Sequence, residues 1–266
     1  GAVARGNSQT RLFEVSPGAK LTLSELKLAE GSEVKGGAIL SNGSLTLDTC
    51  EFVENVATSG NGGAVWAGGG DVTISGVEFS GNSAAIFGGA VFTMGAELVI
   101  HDGTRFDGNQ AEEGGAVYCR GSDGSSSEDS LVTAPCTLSD AVFLRNYASI
   151  GGDVDISDVV DLDDYIENEN PWRSLFGGGA AAFINAEVNI SNCVFSKNSA
   201  QVAGGALYGG DTTNLIINAC TFEGNSAVGV GGAVAASSVT FGGGTELRGN
   251  NATRNGGGVS TLHSTL

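Results

Sequence analysis

A block of two glycines, an alanine and an aliphatic residue recurs along this chain and constrains its fold more than any other feature. The first four copies begin at Gly36, Gly62, Gly88 and Gly114, so the spacing is 26 residues each time. Gly62 and Gly63 open one of the complete copies. Later copies or variants begin at Gly151, Gly178, Gly204, Gly231 and Gly256. A period of this length predicts an array of similar structural units. The nine glycine blocks, here called stations, then mark one unit each.

A second block, Phe-x-x-Asn-x-Ala, alternates with the first and keeps the same phase. Short runs of alternating apolar and polar residues precede its phenylalanines, and this pattern is typical of half-buried strands. We expect the motif phenylalanines and asparagines to be structural, forming interior columns. They are Phe52 and Asn55, Phe79 and Asn82, Phe106 and Asn109, Phe143 and Asn146, Phe195 and Asn198, and Phe222 and Asn225.

Short strands separated by Gly and Asn corners, without any helical periodicity, predict one coil of a solenoid per repeat. Parallel crossovers favour the right-handed sense. The sequence therefore predicts an all-β fold, a right-handed parallel β-helix of about nine coils. We expect residues 1–266 to form one β-helix segment of a longer protein.

The charge of the chain excludes some partners. Twelve Lys and Arg against 30 Asp and Glu give a formal net charge of -18. Such a chain repels phosphate backbones, so we expect no binding to nucleic acid. No stretch approaches the roughly 18 apolar residues that a membrane-spanning helix needs, so we expect no membrane insertion by this segment.

The two blocks resemble the polymorphic outer membrane protein repeats, whose signatures are GGA followed by Ile, Leu or Val, and FxxN. Similar repeats occur in large extracellular proteins of bacteria and unicellular algae. The resemblance covers nearly the whole chain from about Leu21 onward. It implies an extracellular or cell-surface location and a role in adhesion, with protein or glycan partners.

The repeat is interrupted after Gly114, where a polar, serine-rich loop insertion near residues 120–131 lengthens the spacing. Cys119 and Cys136 flank this loop. A disulfide at its base and a pair of buried free thiols both fit the pattern, with the disulfide slightly favoured. Cys50, Cys193 and Cys220 each lie two residues before a motif phenylalanine, where an inert buried column is favoured over a second bridge.

A second irregularity covers residues 151–177, which we interpret as an aberrant acidic coil. Its clustered carboxylates are a candidate Ca²⁺ site, although the spacing is not that of an EF-hand and a solvated acidic loop is the favoured alternative. The candidate ligands are Asp153, Asp155, Asp158, Asp161, Asp163 and Asp164. We expect no other cofactor.

Two further features bear on binding. Leu40, Trp66, Phe92, Tyr118 and Tyr208 follow the glycine blocks and form either core or, if they face outward, a platform for sugars or a partner protein. Core is the favoured alternative. Candidate glycosylation sequons begin at Asn42, Asn189 and Asn251.

Parallel β-helices also carry enzymes, so the fold alone does not decide the function. The sequence contains no serine-nucleophile, Walker or zinc motif. We therefore expect a structural or adhesion scaffold and not an enzyme. The alternative is a Ca²⁺-assisted polysaccharide lyase or epimerase that uses the acidic coil.

Overall fold

The computed structural model describes residues 1–123, 131–149 and 177–261. These residues form 34 β-strands, numbered β1 to β34 in chain order, and no helix. Almost all strand pairs are parallel, and each strand pairs with its counterpart in the preceding and following repeats. The expected all-β parallel β-helix is confirmed.

One side of the solenoid is a nine-stranded sheet that contains the motif phenylalanines, here called the Phe sheet. In stacking order its strands are β1 (Ala2–Arg5), β4 (Leu26–Ala29), β8 (Glu51–Val53), β12 (Glu78–Ser80), β16 (Arg105–Asp107), β22 (Val142–Leu144), β26 (Val194–Ser196), β29 (Thr221–Glu223) and β32 (Glu246–Arg248).

A second side, here called the Ala sheet, has eight two-residue strands that end on an alanine or, in the first strand, a glutamate. They are β5 (Ser32–Glu33), β9 (Val56–Ala57), β13 (Ser83–Ala84), β17 (Gln110–Ala111), β23 (Tyr147–Ala148), β27 (Ser199–Ala200), β30 (Ser226–Ala227) and β33 (Asn251–Ala252).

The remaining 15-stranded sheet consists of two ladders that meet in long shared strands. The Gly ladder follows the glycine blocks and contains β2 (Phe13–Val15), β6 (Ile39–Ser41), β10 (Val65–Ala67), β14 (Val91–Met94), β18 (Val117–Arg120), β24 (Ala181–Ile184) and β34 (Val259–Thr261). The Thr ladder contains β3 (Lys20–Ser24), β7 (Ser44–Asp48), β11 (Val72–Ser75), β15 (Leu98–His101), β21 (Ala134–Ser139) and β25 (Ala186–Ser191). The strands β28 (Leu207–Asn218) and β31 (Val234–Phe241) run through both ladders, and β19 (Ser122–Asp123) pairs separately and antiparallel with β20 (Leu131–Val132).

The glycine block forms one corner of each coil, and its two glycines have different roles. The first is left-handed, as at Gly88 with φ 64°, a conformation that side chains disfavour. The second lies against the next coil: a Cβ on Gly89 would overlap the carbonyl oxygen of Gly115 and the backbone of Gln110. Gly62 and Gly63 have the same two environments. The second glycine is therefore required by coil stacking and not by backbone conformation.

We predict that Gly89→Ala destabilises the chain by about 1–3 kcal/mol or more, because the added methyl group forces two stacked backbones apart. Gly243→Ala is the matched control, since no atom lies within 4 Å of its Cβ position and its φ is not left-handed. The control should change stability by less than about 0.5 kcal/mol. Urea or thermal unfolding measures both, and equal midpoints for the two variants would refute this role of the second glycine.

The motif phenylalanines form a continuous interior stack. Phe52, Phe79, Phe106, Phe143, Phe195 and Phe222 are fully buried, and successive ring centroids lie 4.7 to 4.9 Å apart. The rings are nearly parallel because in-register strands repeat each side-chain position at one strand spacing. This stack fills the core next to the Phe sheet.

The motif asparagines form a buried hydrogen-bonded ladder of Asn55, Asn82, Asn109, Asn146, Asn198 and Asn225. At Asn109, Nδ2 donates to Oδ1 of Asn146 (3.0 Å) and to the carbonyl oxygen of Phe79 (3.1 Å). Its own Oδ1 accepts from the backbone N–H and the Nδ2 of Asn82. Each amide therefore satisfies polar groups of the coils on both sides, which buried backbone groups require.

We predict that Asn109→Ala costs about 3 kcal/mol or more, because it leaves the Asn82 amides and the Phe79 carbonyl without these partners. Asn189→Ala is the control, since Asn189 is exposed on a strand. It should change stability by less than about 0.5 kcal/mol. Thermal unfolding of the two variants gives the comparison; similar losses would show that the ladder is not a special source of stability.

The pairs on either side of residues 150–176 show how the coils stack there. Val117 of β18 pairs directly with Ala181 of β24, and Val142 of β22 pairs directly with Val194 of β26. The Gly114 station thus stacks directly on the Gly178 station, and the predicted station at Gly151 lies outside the described residues. The solenoid has about eight turns, close to the nine coils expected.

Candidate functional site

The first interruption is an insertion between two residues that have counterparts in the neighbouring coil. Thr93 is in register with Cys119, and Leu98 with Cys136. Four residues lie between Thr93 and Leu98 along the chain, whereas sixteen lie between Cys119 and Cys136. The twelve additional residues correspond to 122–133. They begin and end as the antiparallel pair of β19 and β20, while residues 124–130 lie outside the described part.

A disulfide joins Cys119 to Cys136 at the base of this insertion, with their Cα atoms 6.9 Å apart. Both residues are fully buried in the main core, Cys119 on the Gly ladder and Cys136 on the Thr ladder. The bridge therefore closes the insertion at the corner where the two ladders meet. In the chain-entropy description, closing a loop of about this size stabilises the fold by about 3 kcal/mol.

The second interruption leaves the same coil after its Ala-sheet strand β23, at the corner before β24. Ala148 is in register with Ala111, and the N–H of Gly114 donates to the carbonyl of Gly177. Residues 150–176 therefore separate neighbours that are nearly adjacent in other coils. The predicted Ca²⁺ ligands, from Asp153 to Asp164, lie outside the described residues, and the Ca²⁺ site stays a prediction. The described residues contain no group of three or more His, Cys, Asp or Glu that could hold a metal ion.

The aromatic column after the glycine blocks is buried in a second apolar cluster, separate from the main core. Within β10, Val65 and Ala67 belong to the main core, whereas Trp66 belongs to the second cluster on the other side of the strand. Phe87 covers this column, with its ring 4.5 Å from that of Tyr118. The ammonium of Lys35 lies 3.9 Å from the Trp66 ring centroid. The column packs as core and does not form an open platform.

A half-buried glutamate lies next to this second cluster, just before strand β18 of the coil that carries both insertions. Glu113 is bridged to Phe87 of the preceding coil and lies next to Tyr118 and Arg120. Burial raises the pKa of Glu113 to about 8, and the negative charge of Glu112 adds to the effect. The Arg120 charge and a hydrogen bond from Tyr118 oppose it. The carboxyl is therefore mostly protonated at neutral pH.

We predict that Glu113 makes the chain less stable as the pH rises. Its pKa is about 8 in the folded chain and about 4.5 when exposed, so the folded state binds the proton more tightly. The contribution of Glu113 to the free energy of unfolding is fully present below its pKa in the unfolded chain, and it is lost as the pH rises through its pKa in the folded chain. Glu113→Gln should therefore raise the melting temperature most at about pH 9 and least at about pH 5.

Thermal melts of both proteins across this pH range test the prediction. Glu187→Gln, which alters an exposed side chain of β25, is the control and should follow the wild type. A difference between Glu113→Gln and wild type that stayed constant with pH would contradict the assignment.

The described surface carries one cluster of serine, histidine and aspartate. Ser75 Oγ donates to Asp102 Oδ2 (3.0 Å), and His101 Nδ1 lies 2.7 Å from the same oxygen. These hydrogen bonds, from Ser75 first and then His101, lower the pKa of Asp102. The aspartate stands between the other two groups, so His101 does not contact the Ser75 hydroxyl as a general base must. The cluster is not a nucleophile with its base.

The sequons occupy different surroundings. Asn189 lies exposed on β25 and Asn251 lies exposed on β33, whereas Asn42 is half-buried in a turn and its backbone N–H donates to the carbonyl of Val15. Glycosylation at these positions stays a prediction.

Family comparison agrees with the geometry. The family described as Chlamydia polymorphic membrane protein repeat matches residues 76–94, 103–120, 192–210 and 219–237. Each matched segment contains one Phe-x-x-Asn motif and the glycine block after it. The chain carries polymorphic membrane protein repeats.

These repeats flank the two insertions, which fall between the second and third matched segments. No curated protein and no solved structure matched the chain. None of the described residues belongs to a helix that could cross a membrane.

Proposed function

We propose that this chain is a scaffold of a secreted or cell-surface protein, and that its two insertions bind protein or glycan partners. The observation that carries the proposal is the position of the two insertions. Both leave one coil near the middle of the stack, one after its Gly-ladder strand β18 and the other after its Ala-sheet strand β23, just before β24 of the next coil. Loops held on a rigid framework are the usual place for binding residues.

The repeat supports the scaffold part of the proposal. Phe, Asn and glycine columns occupy the interior of the described coils, so the repeated residues are committed to packing. Polymorphic membrane protein repeats belong to a family of surface proteins, which supports an extracellular setting. The Cys119–Cys136 bridge supports the same setting, because disulfides persist in oxidising compartments.

The two insertions can be removed separately, because the residues on either side of each have close counterparts in other coils. Joining Gly121 to Ala134 restores the spacing seen between Gly95 and Ala96. Joining Ser149 to Gly177 restores the short connection seen between Glu112 and Glu113. Both shortened chains keep every residue of the interior columns.

We predict that chains lacking residues 122–133 or 150–176 fold with unchanged circular dichroism, and that at least one of them loses binding at least tenfold. The labelled full chain is applied to a glycan array and to cultured epithelial cells, and each shortened chain is compared on whatever the full chain binds. Each deletion controls for the other. Absence of binding by the full chain, or equal binding by all three chains, would overturn the proposal.

A further inference from the structure

Cys193 and Cys220 occupy the same position on consecutive coils, two residues before the motif phenylalanine. Val194 is in register with Thr221, so the cysteines immediately before them are stacked neighbours. Stacked residues are about 4.8 Å apart, which lies within the Cα separation that disulfides span. The geometry therefore allows a bond between these two sulfurs without a change of register.

The contacts between the two residues are already close. Both are buried, with 1 % and 0 % of their surface exposed. The backbone N–H of Cys193 donates to Sγ of Cys220 at 3.4 Å. A hydrogen bond between the two side chains raises the pKa of Cys193 and lowers the pKa of Cys220. Cys220 is thus the thiol that loses its proton more readily, with Cys193 beside it.

The third free thiol has different neighbours. Cys50 occupies the same column, but the corresponding residue of the next coil is Val77. Ala141 and Thr104 also occur in this column, so the position accepts small side chains other than cysteine. Cys50 is therefore a matched single cysteine, and alanine is a mild substitution at all three positions.

We propose that Cys193 and Cys220 form a second disulfide, which links consecutive coils when the chain folds in the presence of a small organic disulfide. With glutathione disulfide as the oxidant, the Cys220 thiolate attacks one sulfur and forms a mixed disulfide, releasing one glutathione thiolate. Cys193 then attacks Sγ of Cys220 and releases the second glutathione. The two protein thiols are oxidised, glutathione disulfide is reduced to two glutathione molecules, and the two thiol protons end on them.

The Cys193–Cys220 disulfide forms under the same oxidising conditions as the Cys119–Cys136 disulfide. A compartment that oxidises Cys119 and Cys136 also exposes Cys193 and Cys220 to oxidant before their coils close. The resulting bridge ties together the two coils that follow the second insertion. Of the five cysteines, Cys50 is then the one left as a free thiol.

The test begins with the full chain, unfolded and reduced, then refolded with a mixture of glutathione and glutathione disulfide. Thiols that remain are alkylated after denaturation and counted by intact mass, and the bridges are located by proteolysis. We expect one alkylated thiol, Cys50, where a chain with only the Cys119–Cys136 bridge has three. A peptide joining Cys193 to Cys220 should appear.

Two variants control the assignment. Cys220→Ala should give two alkylated thiols, because Cys193 loses its partner, whereas Cys50→Ala should give none. Three alkylated thiols in the refolded wild type, or a bridge from Cys193 or Cys220 to any other cysteine, would overturn the proposal. Circular dichroism of each refolded sample establishes that the count refers to folded chains.

Discussion

Stacking of each coil on the next at one strand spacing is the constraint on which the rest of this structure depends. Parallel in-register pairing places every side chain directly against the side chain at the same position of the neighbouring coils. The same residue type therefore packs well at the same position of successive coils. Phenylalanine stacks on phenylalanine, and the side-chain amide of one asparagine donates a hydrogen bond to the side-chain amide of the next. The second glycine of each block follows the same rule, because the adjacent carbonyl leaves no space for a Cβ.

Insertions obey the same constraint. A strand cannot gain a residue without shifting its register, but a corner can lengthen freely because loop closure costs little more with each added residue. Both insertions therefore leave at corners, and the pairs on either side of them keep their register. The stack supplies a rigid position, and the corners carry the variation between coils.

The interior also explains where titratable and redox-active groups lie. Glu113 occupies a position held by Phe87 one coil earlier, so its carboxyl enters an apolar column and keeps its proton. Cys193 and Cys220 are paired by the repeat itself, since two cysteines at the same position of successive coils must become neighbours. Cys119 and Cys136 are different: they lie in one coil and meet only because the Gly and Thr ladders converge at that corner.

The sequence by itself determined the solenoid, because the Gly-Gly-Ala and Phe-x-x-Asn blocks keep one phase and their spacing is the length of a coil. It also identified the motif residues that form the interior columns. Only the tertiary structure decided which side of the strand carries Trp66 and Tyr118, since glycine corners obscure the strand phase in the sequence. The tertiary structure also showed that the Gly114 station stacks directly on the Gly178 station. Residues 150–176 have almost the length of one coil, so spacing alone does not distinguish an insertion from a repeat, whereas direct pairing of Val117 with Ala181 does.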